Sequence, residues 1–222
     1  MKDLAIIVFA KAPVPGQAKT RLAEALGADG AAALAERMLL HAVAQAAAAG
    51  ADTLELCVTP DGAVHPAFVE LGRVHSTMAF SGQGAGDLGE RMARALERAL
   101  RSHRTALLMG TDAPALDAAV LRQAAAALAA HDAVFVPALD GGYALVGLAR
   151  PAPALFAGMT WSTPQVMQHT RERAAGAGLR IAELKPVADI DVPQDLVHLP
   201  PGWLPSLGTR PSAPSRGATA LP

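Results

Sequence analysis

Apolar runs about the length of a strand alternate with longer segments of helical spacing along most of this chain. The pattern predicts strands at 4–9, 53–59, 105–109, 132–138, 143–148 and 180–184, and helices at 29–49, 87–103, 117–130 and 164–177. Leu4 to Phe9 is apolar without alternation, as expected of a central strand buried on both faces of a sheet. Alternation of strand and helix predicts an α/β fold. The consecutive strands 132–138 and 143–148, joined by Asp140-Gly141-Gly142, break that rhythm. They predict a hairpin-like or bent connection and argue against a purely parallel sheet. Helix 29–49 places Leu34, Met38, His41 and Gln45 on one stripe with Leu39 and Val43 beside it, so His41 reads as a packing histidine. Ser162-Thr163-Pro164 offers a hydroxyl cap and a first-turn proline for helix 164–177.

Length and composition narrow the classes. The 222 residues suit one domain, 1–199, followed by a Pro/Gly/Ser/Ala-rich stretch, 200–222, that cannot build a core and is expected to be a disordered tail. No internal repeat is evident. Half the residues are apolar but only 4% are aromatic, so much of the core must come from alanine-rich helices such as 31–49. A formal charge of -1 removes the broad electrostatic footprint of a nucleic-acid binder, and any phosphate contact should be local. The single cysteine, Cys57, excludes an intrachain disulfide and sits in the strand-like LELCV as a core residue. The N-terminal apolar run is too short for a membrane span, and Asp3 with no small-residue cleavage site argues against a signal peptide. A cytoplasmic protein without a membrane partner is expected. No apolar stripe demands a particular oligomeric state.

The chemistry concentrates in loops. In FAKAPVPGQAKTRL, residues 9–22, the first strand empties into a stiff turn: Pro13 and Pro15 fix φ, and Gly16 permits φ > 0. Lys11, Lys19 and Arg21 on that turn, next to a helix start, form a frame for a phosphate. The Walker pattern is excluded, because Ala18 precedes Lys19 and Pro13 takes the place of the first glycine. The other reading is that all three cations are solvated surface charges. Strand 105–109 runs into Gly110-Thr111-Asp112, beyond the carboxyl end of a central strand, where open α/β sheets bind ligands. Asp112 can hold Mg²⁺ or Mn²⁺ there with water and phosphate oxygens, or Thr111 or Asp112 can merely turn the chain into the next helix near Asp117. Asp140-Gly141-Gly142-Tyr143 offers an acid able to bond sugar hydroxyls and glycines that let backbone approach a ligand; it is equally a hairpin turn with the chain's one tyrosine packed on the sheet. Gln83-Gly84-Ala85-Gly86-Asp87 is a third glycine turn, with Asp87 a helix cap, that could admit a base or ribose. In Asp189-Ile190-Asp191-Val192-Pro193-Gln194-Asp195 one acid could complete a metal site, and capping by Asp191 or solvation of Asp195 is the other reading. Histidine spacing supports no zinc site, and no GxSxG is present, so a hard cation with a phosphate-bearing ligand fits best.

Taken in order, FAKAPVPGQAKTRL, QGAGDLGERM, LLMGTDAPAL, VPALDGGYALVGL, WSTPQVMQHT and DIDVPQDL resemble a bacterial family of GT-A-like glycosyltransferases, the arsenosugar-biosynthesis or radical-SAM/selenodomain-associated transferases, over nearly all of residues 3–198. The opening is also similar to phospholactate guanylyltransferases. The resemblance implies a nucleotide-diphospho-sugar transferase fold, a mixed twisted sheet flanked by helices, with the nucleotide at the carboxyl ends of the first strands. It implies that Lys11, Lys19 and Arg21 meet the nucleotide phosphates, that Asp112 meets a Mg²⁺ or Mn²⁺ ion with Asp191 as a candidate second contact, and that Asp140 to Tyr143 line the donor-sugar or acceptor pocket; Gly16, Gln83 and Gly84 are further candidate nucleotide contacts and Asp140 the candidate base or sugar orienter. With Gly141, Gly142 and Tyr143, Trp161 is a further candidate for that pocket. Ala113 stands where the family usually has serine, so that hydroxyl contact is absent. The activity implied is metal-dependent glycosyl transfer from a nucleotide-diphosphate sugar to a small-molecule acceptor. The alternatives are nucleotidylyl transfer from an NTP to a phosphorylated small molecule, or nucleotide binding without catalysis.

Overall fold

The computed structural model describes residues 1–62 and 64–204. In chain order these form β1 (Lys2–Lys11), α1 (Ala23–Ala48), β2 (Thr53–Thr59), α2 (Pro66–Val74), β3 (Ala79–Gly82), α3 (Leu88–Leu100), β4 (His103–Met109), α4 (Ala118–Ala127), β5 (Ala133–Pro137), β6 (Tyr143–Leu148), α5 (Val166–Gly176) and β7 (Ile181–Glu183), with 3₁₀ turns at Pro153–Leu155 and Pro193–His198. The strands make one sheet in the order β3-β2-β1-β4-β6-β5-β7. β1 is central and parallel to both β2 and β4, while β6 runs antiparallel to β4 and β5. The expected mixed sheet is thus present, and the β5–β6 hairpin closes through Asp140-Gly141-Gly142. Because β1, β2 and β4 are parallel, their carboxyl ends and the loops that follow open on the same edge of the sheet.

Period-two alternation splits the central strands between two cores. Ile6, Val8, Leu56, Leu107 and Met109 pack with Leu39 and Val43 of α1 and Leu121 of α4. Ile7, Phe135 and Val146 pack on the opposite face with Met92 and Leu96 of α3 and Met167 of α5. Ile6, Ile7 and Phe135 are fully buried, each worth roughly 1.5–3 kcal/mol of transfer free energy. Cys57 is buried in the second core, as expected. Edge strand β3 is clamped by charge as well as by ladder bonds: the buried Glu55 on β2 accepts from Ser81 Oγ of β3 at 2.5 Å and from Arg98 of α3.

Several boundaries differ from the expectation. α1 starts at Ala23 and breaks at Gly27, where φ is +71°. α2 and β3 were not expected; β3 is four residues long with Phe80 half-exposed, and so has no buried apolar run to read. α5 starts at Val166 after Gln165, without a side-chain cap. The Ser162-Thr163 cap is therefore corrected: Ser162 has φ +60°, and the Thr163 hydroxyl donates to the Thr160 carbonyl in the preceding loop. At the start of the expected tail, Trp203 packs beside Leu22, Leu34 and Met38, with the Arg37 guanidinium 5.0 Å from its ring centre. Residues 205–222 lie outside the described residues. Among the described residues no helix is long and apolar enough to cross a membrane.

Candidate active site

The chain leaves β1 at Lys11 and turns twice before α1, with Val14 accepting from the N–H groups of Gln17 and Ala18. Gly16 has φ +73° and open space where a Cβ would stand, so the turn needs its conformation and no close approach requires its small size. Lys19 also has positive φ, +48°, an uncommon state for a residue with a side chain. That backbone turns the Lys19 ammonium inward, to 2.8 Å from Asp112 Oδ1, 3.8 Å from Asp191 Oδ1 and 2.5 Å from the Ile190 carbonyl oxygen. Its side chain is only 7% exposed, against 68% for Arg21, which pairs with Asp191 Oδ2 at 2.8 Å. Lys11 donates to the Gln17 carbonyl across the loop.

Asp112 and Asp191 come from segments far apart in sequence, the loop after β4 and the loop before the last 3₁₀ turn. The Ile190 N–H donates to the Asp112 carbonyl at 2.8 Å and fixes the two loops side by side. The cap of that last turn is Asp195, which accepts from the N–H groups of Asp191 and Val192; Asp191 does not cap and its carboxylate is left to face Lys19 and Arg21. Asp189, half-buried beside them, has its pKa raised above the ordinary carboxylate value by burial first and then by the Asp140 carboxylate.

Asp140 accepts from the Gly142 N–H at 2.8 Å, so it orders the hairpin while its carboxylate stays exposed at the rim. Gly141 is placed by a different constraint from the one expected. Its φ is +95°, and an added Cβ would stand 2.1 Å from the Pro164 carbonyl oxygen, so the close approach is to the start of α5. Its carbonyl also accepts from Met167 N–H. Tyr143 lies edge-on between Phe135 and Trp161, with ring centres at 5.2 and 6.3 Å. Its hydroxyl and the Trp161 indole N–H are both buried without a hydrogen-bond partner among the described residues. Burial pushes the Tyr143 pKa far up, so the phenol stays protonated.

A cavity of about 800 Å³ at the carboxyl edge of the sheet gathers most of the expected residues: Lys11, Lys19, Arg21, Gln83, Asp112, Asp140, Gly142, Tyr143, Trp161 and Asp191 all line it. Gly16, Gly84 and Gly141 do not. Gln83 reaches it with its donors already committed, since its amide N–H groups go to the Ala10 and Cys57 carbonyls, and its Oε1 accepts from Arg91. The Gly84 N–H is held by the Asp61 carboxylate at 3.0 Å, and Arg94 covers the position where a Cβ would sit. Arg91 also lines the cavity, as does Asp189, one of the acids of the 189–195 segment among which a metal ligand was expected. The signal for Arg91 lay in the spacing of Asp87 and Glu90, a capping box that starts α3 and points its first turn at the site.

Asp112 and Asp191 suit a hard cation by the chemistry of their oxygens, both within reach of one positive centre. No group of three His, Cys, Asp or Glu side chains among the described residues could hold a metal ion by itself. A two-carboxylate pair is what Mg²⁺ or Mn²⁺ uses when waters and substrate phosphates supply its remaining ligands.

The family model for an uncharacterized protein conserved in bacteria, DUF2064, matches residues 17–163. The chain belongs to DUF2064. The DUF2064 match takes in Lys19, Arg21, Asp112, the Asp140–Tyr143 hairpin and Trp161, and stops short of Asp191. A protein from Desulfovibrio desulfuricans G20, provisionally assigned as a nucleotide-diphospho-sugar transferase, is 32% identical over 88% of this chain and 85% of its own, with a TM-score of 0.78. The fold of this DUF2064 protein is that of the nucleotide-diphospho-sugar transferases. Fold similarity at lower identity extends to a nucleotidyl transferase from Methanothermobacter, 16% identical over 88% of this chain and 94% of its own with a TM-score of 0.57. It extends also to a CMP:2-keto-3-deoxy-manno-octonic acid synthetase complexed with CTP, 10% identical over 88% of this chain and 95% of its own with a TM-score of 0.53. No curated protein matches in sequence.

Proposed function

We propose that this protein is a metal-dependent glycosyltransferase that takes its sugar from a nucleotide diphosphate and delivers it to a small-molecule acceptor. The observation that carries the reading is the meeting, in one cavity at the ends of β1 and β4, of the Lys19 and Arg21 cations with the Asp112 and Asp191 carboxylates. The assignment of the 32%-identical Desulfovibrio protein as a nucleotide-diphospho-sugar transferase supports it.

In this reading Asp112 and Asp191 hold Mg²⁺ or Mn²⁺, which supplies positive charge to the departing diphosphate. Lys11, Lys19 and Arg21 bind and orient the phosphates and add to that stabilisation, which counts most where charge develops in the transition state. Asp140, at the rim and fixed by the Gly142 N–H, orients a sugar hydroxyl or takes the acceptor proton. Tyr143 and Trp161 form an aromatic wall that excludes water from one side of the cavity.

A second reading, nucleotidylyl transfer from an NTP, is favoured by the number of cations: Lys11, Lys19, Arg21 and Arg91 all line the cavity, enough for a triphosphate. Product analysis with Mn²⁺ across nucleotide-diphosphate sugars and NTPs, over a panel of small acceptors, separates the two. Nucleoside diphosphate released with a glycosylated acceptor is the expected result, falling on the order of 100-fold or more in Asp112→Asn. Pyrophosphate release from an NTP would replace it with the second reading, and no turnover of any donor would contradict both.

A further inference from the structure

Three oxygens, one from each of Asp112, Ile190 and Asp191, converge on the Lys19 ammonium at 2.8, 2.5 and 3.8 Å. Such a set of oxygens around one positive centre is what a hard cation takes. The Lys19 side chain is largely buried, and its backbone has φ +48°, a state that persists in a residue with a side chain only where the surroundings over-determine it. The Asp112 and Asp191 carboxylates are each paired with a cation, Lys19 or Arg21, and the half-buried Asp189 stands beside them. A free divalent cation arriving at that pair must expel an ammonium that already has three oxygen neighbours. A nucleotide polyphosphate changes this, because it brings its own negative charge into the same cavity and offers the displaced ammonium a new partner.

We propose that Lys19 is a resident counter-ion that keeps the Asp112–Asp191 pair closed to free divalent metal, so that metal binds only together with nucleotide phosphates, which draw the ammonium off the carboxylates. The inference rests on the reading of this cavity as a nucleotide and metal site. It makes Lys19 a positioning residue that sets the order of binding, in addition to any contact with phosphate.

The test is Mn²⁺ binding, followed through the electron paramagnetic resonance signal of the free ion. Wild type and Lys19→Met are titrated with Mn²⁺ alone, then with UDP, GDP, ADP and CDP in turn against nucleotide-only blanks. Wild type is expected to take up little Mn²⁺ alone and to retain it with at least one nucleotide. Lys19→Met is expected to bind Mn²⁺ alone roughly tenfold or more tightly than wild type, because an adjacent positive charge has gone. The gain should vanish in Lys19→Met/Asp112→Asn, which locates it on the carboxylates. Lys19→Gly, which removes the ammonium and accepts the positive φ, is read alongside, so a folding defect in the methionine variant does not decide the outcome. Equal binding of Mn²⁺ alone by wild type and the Lys19 variants overturns the proposal even if nucleotide–metal binding is intact. Failure of wild type to retain Mn²⁺ with any nucleotide overturns instead the reading of the site on which it rests.

Discussion

At Gly141 two constraints coincide, φ +95° and a neighbouring Pro164 carbonyl oxygen 2.1 Å from where a Cβ would stand. Gly141→Ala must both strain the backbone and push the hairpin off α5, so it is expected to cost about 2 kcal/mol or more in denaturant unfolding. Gly142→Ala, whose Cβ would have the Asp140 carboxylate as its nearest neighbour at 3.2 Å, should cost clearly less. Equal losses would mean that the hairpin does not need the Gly141–Pro164 contact. The sequence marks DGG as a turn, but which glycine faces the cavity and which faces Pro164 depends on α5, some twenty residues later in the chain. The pairing of Lys19 with Asp112 and Asp191 was hidden for the same reason. Their residue types point to phosphate and metal, yet only the fold shows that the lysine sits against the acids.

Among the elements, α3 is the one whose start the sequence states most directly. Asp87 accepts from the Glu90 N–H and the Glu90 carboxylate accepts from the Asp87 N–H, each at 2.9 Å, so the capping box is complete. Asp87→Ala is expected to lower stability by about 1 kcal/mol in thermal or denaturant unfolding. It should also loosen Arg91, whose guanidinium bonds the Asp87 carbonyl and Gln83, and so weaken whatever the cavity binds. A variant with wild-type stability would remove the cap from the account. The long central strands, the α/β alternation and the hairpin were legible because their apolar runs are continuous. α2 and β3 were not: α2 buries only Ala67, Phe68 and Leu71, and β3 is an edge strand tied down by the Glu55–Arg98–Ser81 cluster, a contact between distant segments. The hydroxyls of Ser162 and Thr163 suggested a cap, but a positive φ at Ser162 delays the helix until Val166.

For the molecule as a whole, the sheet order explains why the chemistry collects on one edge. β1 and β4 are parallel neighbours, so the basic loop after the first and Asp112 after the second emerge side by side, and the segment after β7 returns to lay Asp191 against them. β6, antiparallel next to β4, brings Tyr143 and the Asp140 hairpin to the same edge from the other direction. The net charge of -1 is consistent with a binding site whose cations are local. On the proposed function, this edge binds a nucleotide diphosphate through metal held by Asp112 and Asp191. Isothermal titration of wild type and Asp112→Asn with nucleoside diphosphates and their sugars, with and without Mn²⁺, tests it most directly. Mn²⁺-dependent binding by wild type that weakens roughly 10–100-fold in Asp112→Asn is the expected result. Binding that ignores both Mn²⁺ and the substitution, or no binding of any nucleotide, would contradict it.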